Sequence, residues 1–509
     1  MALLNSIASW LMVKRMHQIE LFMKYPGEVQ REWFQRLMAS GAETEWGRKY
    51  DYRSIKTQKQ FRERVPLQTY DSLKPWIDRV RRGEQNLLWP DEILWFAKSS
   101  GTTGDKSKFI PVSREALEDC HYRGGKDMVS LYCNNYPDHQ LFTGKNLALG
   151  GSHHTDIFSE TESYHGDVSA IIIQNLPLWA DLLRAPHSSI ALMSGWEEKL
   201  DKMAQAVMNE NMTSMAGVPS WMLVLIRRVL DLSGKKHIRE VWPNLEVYYH
   251  GGVSLTPYRE QLRQTIGGND LRYLELYNAS EGFFGIQDQK DSNELLLMLD
   301  YGIYYEFLPA EEWNKENGKA ISLEEVEPGK NYAMVISTNA GLWRYQLGDT
   351  IQFTSTAPYR FRITGRTKQF INVFGEEVMV ENAERALEIA CEKTGASVSE
   401  YTVAPIFMGK RTSGAHEWVI EFEKEPESIG YFSELLDNAL KALNSDYEAK
   451  RYNNYVLQPL SVIPVPKGTF YQWLKSKDKL GGQHKVPRLS NERKTLEEVL
   501  AVAGVRKAL

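Results

Sequence analysis

The stretch Ser99-Ser100-Gly101-Thr102-Thr103-Gly104-Asp105-Lys106-Ser107-Lys108 lies between two apolar runs, Ile93-Leu94-Trp95-Phe96-Ala97 and Phe109-Ile110-Pro111-Val112. It holds three serines, two threonines, two glycines and two lysines, with no apolar side chain. Glycines let a backbone curl close to a ligand, so that successive N–H groups converge on one anion. Hydroxyls add neutral donors and lysines add point charges for phosphate. The stretch therefore reads as a loop that holds a polyphosphate. The same composition reads equally as an exposed hairpin turn. A Walker loop has the form Gly-x-x-x-x-Gly-Lys-Ser/Thr and opens into a helix. Here Asp105 separates Gly104 from Lys106, and the segment that follows is β-prone and broken by Pro111. That predicts a strand and excludes the Walker class.

A chain of 509 residues is too long for one core, which predicts two or three domains. Its 42% apolar and 25% charged residues are those of an ordinary globular protein. A net charge of −5 argues against broad nucleic-acid or anionic-membrane binding. Cys120, Cys133 and Cys391 fit no metal spacing and point to a reducing compartment, hence a cytoplasmic location. Near the N-terminus Leu3, Leu4, Ile7, Leu11, Met12, Met16, Ile19, Phe22 and Met23 recur at helical spacing. This predicts one amphipathic helix over Met1–Met23, packed on the main domain rather than on a membrane. Its basic residues do not precede an uninterrupted apolar stretch, so it is not a signal peptide. No stretch approaches the roughly 20 apolar residues of a membrane span.

Residues 1 to 95 read as mostly helical, and from Ile93 β-like runs alternate with helical ones. The runs are Ser169–Ile173 (strand), Trp196–Asn209 (helix), Leu245–Tyr249 (strand), Tyr258–Thr265 (helix) and Leu271–Tyr277 (strand). Residues 294–308 and 331–364 are strand-rich, and a β-α-β-β-α pattern follows, to Ser445. The expectation is an α/β chain with a large multi-sheet N-terminal domain and a smaller α+β C-terminal domain. The boundary falls near Ile363–Lys368, giving domains 1–364 and 365–509.

Further short motifs carry chemistry. Tyr277-Asn278-Ala279-Ser280-Glu281-Gly282 follows a strand, where α/β folds place ligands. A hydroxyl beside a carboxylate suits one Mg²⁺ bridging phosphate oxygens, although the segment also reads as a plain turn. In Trp343-Arg344-Tyr345-Gln346-Leu347-Gly348-Asp349, Gly348 lets the chain turn and presents Asp349 after a strand, where it can accept both hydroxyls of a ribose, although Gly-Asp alone reads as an ordinary turn pair. Gly365-Arg366 reads as a phosphate or ribose contact or as a common turn pair. His250-Gly251-Gly252 permits close approach to a flat ring, while His250 reads equally as a histidine satisfied at a strand end. His153 and His154 are adjacent on a β-like run, so they face opposite ways and share no metal. Lys467 and Lys485, near Gly and Pro, sit on loops from which an ammonium can reach a distant site, although lysines in such a tail read by default as solvated. No zinc pattern and no Gly-x-Gly-x-x-Gly after a strand is present.

Taken in order, these motifs resemble the adenylate-forming superfamily of acyl-CoA synthetases and firefly luciferase. Ser99–Lys108, Tyr277–Gly285, Trp343–Asp349 and Gly481–Arg488 are most similar to its auxin-responsive-promoter branch. These are the acyl acid amido synthetases, including jasmonate–amino acid synthetase-like enzymes. The resemblance implies a two-step reaction, in which ATP and a carboxylic acid give an acyl-adenylate and the amine of an amino acid then forms an amide. It implies ATP and Mg²⁺, small acid and amino acid substrates, no nucleic acid, no stable membrane association, and a monomer or weak homodimer.

The resemblance further implies that Ser99, Ser100, Thr102 and Thr103 bind the β- and γ-phosphates, with Lys106 or Lys108 adding charge. Tyr277, Ala279 and Ser280 line the nucleotide, with Ser280 at the α-phosphate and Glu281 on Mg²⁺. Asp349 takes the ribose with Arg366 near it, and Gly251 and Gly252 border the adenine. Lys485, carried by a mobile C-terminal domain, stabilises charge on the α-phosphate, with Lys467 as the competitor for that role. The alternatives are transfer to coenzyme A, or a homologue that binds nucleotide without catalysis. Trp-Arg-Tyr-Gln stands here where the plant enzymes favour Tyr-Arg-Tyr-Arg, and neither jasmonate nor auxin is implied as substrate.

Overall fold

The computed structural model describes residues 2–505 apart from 100–107, 152, 155–162, 177, 194–195, 253–254, 256–257, 314, 316–317, 368–369, 372–375, 377, 407–413, 445–446, 449–450, 452–456, 478–479 and 481–484. By its contacts the chain forms two compact units. One is Met1–Val253 with Thr265–Arg362, and the other is Ser254–Gln264 with Ile363–Leu509.

The first unit opens with helices, as the sequence predicts. The single helix expected over Met1–Met23 is two, Ala2–Val13 and Met16–Lys24. The break coincides with Arg15, whose guanidinium turns inward to pair with Asp127 at 2.9 Å and Asp300 at 2.6 Å. The Tyr301 hydroxyl donates to the same Asp127 carboxylate at 2.8 Å. Asn5 donates to the His139 carbonyl and accepts from the Phe142 N–H, so this N-terminal segment is packed on the body of its unit. Further on, the helix Tyr70–Arg81 starts at Thr69, where Thr69 and Ser72 cap each other reciprocally.

The strands of this unit are β1 (Trp95–Ser99), β2 (Lys108–Val112), β3 (Lys145–Ala148), β4 (His153–His154), β5 (Tyr164–Gly166), β6 (Arg184–Ala185), β7 (Met212–Gly217), β8 (Val247–Gly251), β9 (Arg272–Ala279), β10 (Gly282–Ile286), β11 (Leu295–Leu297), β12 (Ile303–Pro309), β13 (Ile321–Ser322), β14 (Asn331–Thr338), β15 (Tyr345–Thr356) and β16 (Tyr359–Arg366). Among the described residues they form a 4-stranded sheet, β2-β1-β5-β4, and a 12-stranded sheet, β13-β12-β14-β15-β16-β11-β10-β9-β8-β7-β3-β6. In the large sheet β6, β3, β7, β8 and β9 run parallel. The helices Trp196–Val207 and Pro219–Ser233 lie between consecutive strands of this parallel part. Beyond β9 the pairings through β10, β11 and β16 are antiparallel.

The run Ser169–Ile173, expected to be a strand, lies in the helix Val168–Gln174. Three consecutive isoleucines raise β-propensity, but Val168, Ala170, Ile171 and Ile173 are buried around several sides of the helix, and tertiary packing outweighs propensity. The aromatic richness of the chain goes largely into cores: Trp46, Trp89, Trp242, Trp343 and Trp418 are all fully buried.

In the second unit β17 (Phe370–Ile371) pairs with β18 (Val378–Met379), and the helix Val380–Thr394 follows. Then come β19 (Ser397–Ile406), β20 (Ala415–Lys424), the helix Ile429–Leu443 and β21 (Ser461–Val465). The expected β-α-β-β-α order is present with one strand added, because β18 pairs with β17 ahead of the first helix. Strand β21, parallel to β20, and the helices Thr469–Ser476 and Lys494–Val502 extend it. This unit has its own core, built around Trp418, Phe422, Phe432 and Leu436. Among the described residues no helix is long and apolar enough to cross a membrane.

Arg15→Met leaves the buried Asp127 carboxylate without its cationic partner. We expect a loss of about 3–5 kcal/mol in urea unfolding. A loss typical of an exposed pair would show that Arg15 is not what holds the two N-terminal helices on the core.

Candidate active site

The parallel strands place their C-terminal ends side by side, the edge at which α/β sheets bind ligands. Strand β8 ends there at Gly251. A Cβ on Gly251 would stand 2.4 Å from the Leu276 carbonyl of β9, so only glycine lets the two strands lie together. Gly252 follows at φ 82°, in left-handed space. His250, near the end of β8, is buried against the rings of Tyr248 and Tyr273.

Strand β9 turns back into β10 through Ser280 and Glu281 alone, because Ala279 and Gly282 are cross-strand partners. Ser280 is buried and Glu281 is half-buried. Within β9, Tyr277 packs its ring on Phe284 and Phe361 and donates its hydroxyl to Asp349 Oδ2 at 2.8 Å. Asp349 was expected after a strand, but it stands within β15. Thr350 pairs with Ala333 and Gln346 with Val335, so Leu347, Gly348 and Asp349 together face Met334 alone. Gly348, at φ 86°, allows this bulge, which re-aims the Asp349 side chain.

Tyr345, at the start of β15, is fully buried and donates its hydroxyl to Glu281 Oε1 at 3.3 Å. Burial pushes this phenol well above the ordinary tyrosine range, and the Glu281 charge adds to the shift. Tyr70 and Asp349 lie within electrostatic reach of the same group. The Tyr70 hydroxyl accepts from the Phe109 N–H at 2.8 Å, which ties the helix Tyr70–Arg81 to β2. Ser99 and Lys108 are cross-strand partners in the antiparallel pair β1–β2, so a strand, not a helix, follows the segment, as its composition predicts. Lys108 is half-buried, with Nζ 5.7 Å from the centre of the Tyr70 ring. Ser100, Thr102, Thr103 and Lys106 lie outside the described residues.

In the second unit Arg366 closes β16 directly after Gly365, whose φ is 147°. Lys467 is exposed and stands 3.6 Å from Glu423, in the turn ahead of the helix Thr469–Ser476. The Glu421 carboxylate accepts from the N–H groups of Gly468 and Phe470 and fixes that turn. Lys485 is half-buried and directly precedes a docked segment. There Pro487 O accepts from the Thr402 hydroxyl and Arg488 O from the Val403 N–H. The Arg488 guanidinium is buried, pairs with Glu400 and lies over the Tyr401 ring.

Known proteins bear on this arrangement along almost the whole chain. Residues 15–271 match the model of the GH3 family N-terminal domain. Residues 296–366 match the central domain of the same family, and 381–494 its C-terminal domain. The chain belongs to the GH3 family. Among curated GH3 relatives, indole-3-acetic acid-amido synthetase GH3.3 of Arabidopsis thaliana is 23% identical, over 94% of this chain and 91% of that protein. The 4-substituted benzoates-glutamate ligase GH3.12 of Arabidopsis thaliana is 23% identical, over 88% and 90%. Among solved structures, GH3.15 acyl acid amido synthetase superposes with a TM-score of 0.77 at 18% identity, covering 93% of each chain. A 2-hydroxyisobutyryl-CoA ligase superposes with a TM-score of 0.57 at 14% identity, over 94% and 92%. The fold is therefore that of GH3 proteins and adenylate-forming ligases.

Two features of this GH3 chain escape reading from sequence. Tyr345 lies inside a quoted motif, yet nothing local says that its hydroxyl meets Glu281. Lys199, on the helix Trp196–Val207, is fully buried and donates to the carbonyls of Gly150 at 2.8 Å and Gly151 at 2.9 Å, just after β3. A lysine on an amphipathic helix normally points to water, so its pattern carried no signal.

Burial lowers the Lys199 pKa from the ordinary 10.5 to about 8, opposed by the nearby Asp167 charge. Between those values the unfolded chain binds the proton and the folded chain does not, so stability rises with pH across that window. The stability of the wild type relative to Lys199→Met should therefore grow from pH 8 towards pH 10 in urea unfolding. A flat difference would mean that Lys199 keeps its charge inside the fold.

Proposed function

We propose that this chain is an ATP-dependent acyl acid amido synthetase that joins a small carboxylic acid to the amine of an amino acid. The carrying observation is the pair of carboxylates, Glu281 and Asp349, each taking a hydrogen bond from a tyrosine of the same unit, beside the C-terminal ends of parallel strands. The names of its GH3 relatives, an amido synthetase and a benzoates–glutamate ligase, support the same chemistry.

In the first step an oxygen of the acid attacks the α-phosphorus of ATP. The α–β bond breaks, pyrophosphate leaves, and an acyl-adenylate forms. In the second step the amine attacks the acyl carbon, AMP departs, and the nitrogen gives up its proton as the amide forms. On this reading the segment 99–108 clamps the β- and γ-phosphates, Ser280 meets the α-phosphate, Asp349 takes the ribose with Arg366 near it, and Gly251 and Gly252 border the adenine. Residues 1–364 act as the adenylation domain and 365–509 as the lid, which supplies Lys485 to the α-phosphate.

The donor set fits Mg²⁺. Glu281 offers hard oxygen, and among the described residues no group of three or more His, Cys, Asp or Glu could hold a metal alone. Mg²⁺ is usually bound by one or two carboxylates together with substrate phosphates. Glu281 would hold it, and its charge would neutralise the departing pyrophosphate.

A pyrophosphate-exchange assay with a panel of carboxylic acids, followed by a panel of amines, tests the reading. Acid-dependent exchange and amino acid conjugates are expected. Turnover with coenzyme A but with no amino acid would replace the acceptor half of the proposal. ATP binding without exchange for any acid would leave a non-catalytic nucleotide binder. Lys485→Ala should slow exchange by about 100-fold or more while ATP affinity is unchanged. Normal exchange in that variant, with loss in Lys467→Ala, would transfer the role to Lys467.

A further inference from the structure

We propose that Tyr345 is a positioning residue that aims Glu281 at the divalent cation accompanying the nucleotide, an inference that rests on the function proposed above. Glu281 occupies a two-residue hairpin turn in which neither central residue has a positive φ. The turn thus lacks the mirror-type geometry that makes such hairpins self-supporting. A half-buried glutamate there also has three side-chain torsions to order, so its aim has to come from a neighbour.

Tyr345 is built to be that neighbour. Its ring is fully buried, and its backbone is held on both sides by one segment of chain. The Gln68 N–H donates to Arg344 O at 2.9 Å, and the Gln346 N–H donates to Gln68 O at 2.8 Å. Arg344, at φ 45°, is anchored through its guanidinium to Glu306 at 2.9 and 3.0 Å. Trp343 is tied by its indole N–H to Leu88 O at 2.9 Å. The hydroxyl therefore arrives at Glu281 from a rigid base. Its 3.3 Å contact is long for a hydroxyl and a carboxylate, which orients Glu281 while leaving it able to engage a hard cation. Tyr277 does the equivalent for Asp349 at 2.8 Å, so each carboxylate has a separate phenol. This separation predicts two distinct phenotypes, one for the metal and one for the nucleotide.

The test uses the full chain with Mn²⁺ as a paramagnetic probe, titrated by electron paramagnetic resonance in the presence of ATP and without acid. Tyr345→Phe removes only the hydroxyl. Its Mn²⁺ dissociation constant should rise by about tenfold. In the exchange assay the Mg²⁺ concentration for half-maximal rate should rise by the same factor, with the rate at saturating Mg²⁺ retained. Tyr277→Phe should instead raise the KM for ATP and leave Mn²⁺ affinity intact. Wild-type Mn²⁺ affinity in Tyr345→Phe would overturn the inference, and a lowered Tm in that variant would then assign Tyr345 to packing alone. If the wild type binds no Mn²⁺ with ATP and exchanges no pyrophosphate, the proposed function fails and this inference with it.

Discussion

The buried pair of Arg344 with Glu306 is the constraint on which the site of the first unit depends. Arg344 stands in left-handed backbone space, which costs a non-glycine residue about 1–2 kcal/mol. Its guanidinium offsets that cost with a fork onto Glu306 and further bonds to the carbonyls of Arg62 and Val65. Both side chains are almost fully buried, so removing either would leave the other charge without its partner in a dry core. The kink at Arg344 sends Trp343 into the aromatic core and Tyr345 to Glu281. It also sets the register in which β15 enters the sheet.

From that register the rest follows. The bulge at Leu347–Asp349 needs Gly348 and a fixed entry point, and it brings Asp349 under the Tyr277 hydroxyl. The hairpin at Ser280–Glu281 lies beyond β9, the last of the parallel strands, and meets β15 through Tyr345. Tyr70 connects the same neighbourhood to β2, the strand that begins at Lys108. Stretches of chain 39 to 72 residues apart are thus joined through phenols, which combine a large buried ring with one directional hydroxyl.

Much of this was legible from residue types alone. Pro111 and the β-prone residues around it marked a strand after the loop, Gly348 marked an unusual backbone, and the alternation of runs marked an α/β sheet. Where local reading failed, a long-range force had overridden it. The N-terminal helix splits because Arg15 is drawn to Asp127 and Asp300, more than a hundred residues away. The isoleucine run is helical although its residues favour strands, because tertiary packing buries it on several sides, and Lys199 is inside because two backbone carbonyls receive it.

The sequence by itself determined the order of the motifs, the class of fold and the residue types that can bind a nucleotide. These depend on local composition and spacing, which survive without knowledge of partners. Only the tertiary structure decided which hydroxyl meets which carboxylate, that Asp349 sits on a bulge within a strand, and that His250 is buried between two tyrosine rings. Those outcomes depend on distances between remote segments, and burial and charge pairing set these distances only once the chain has closed on itself.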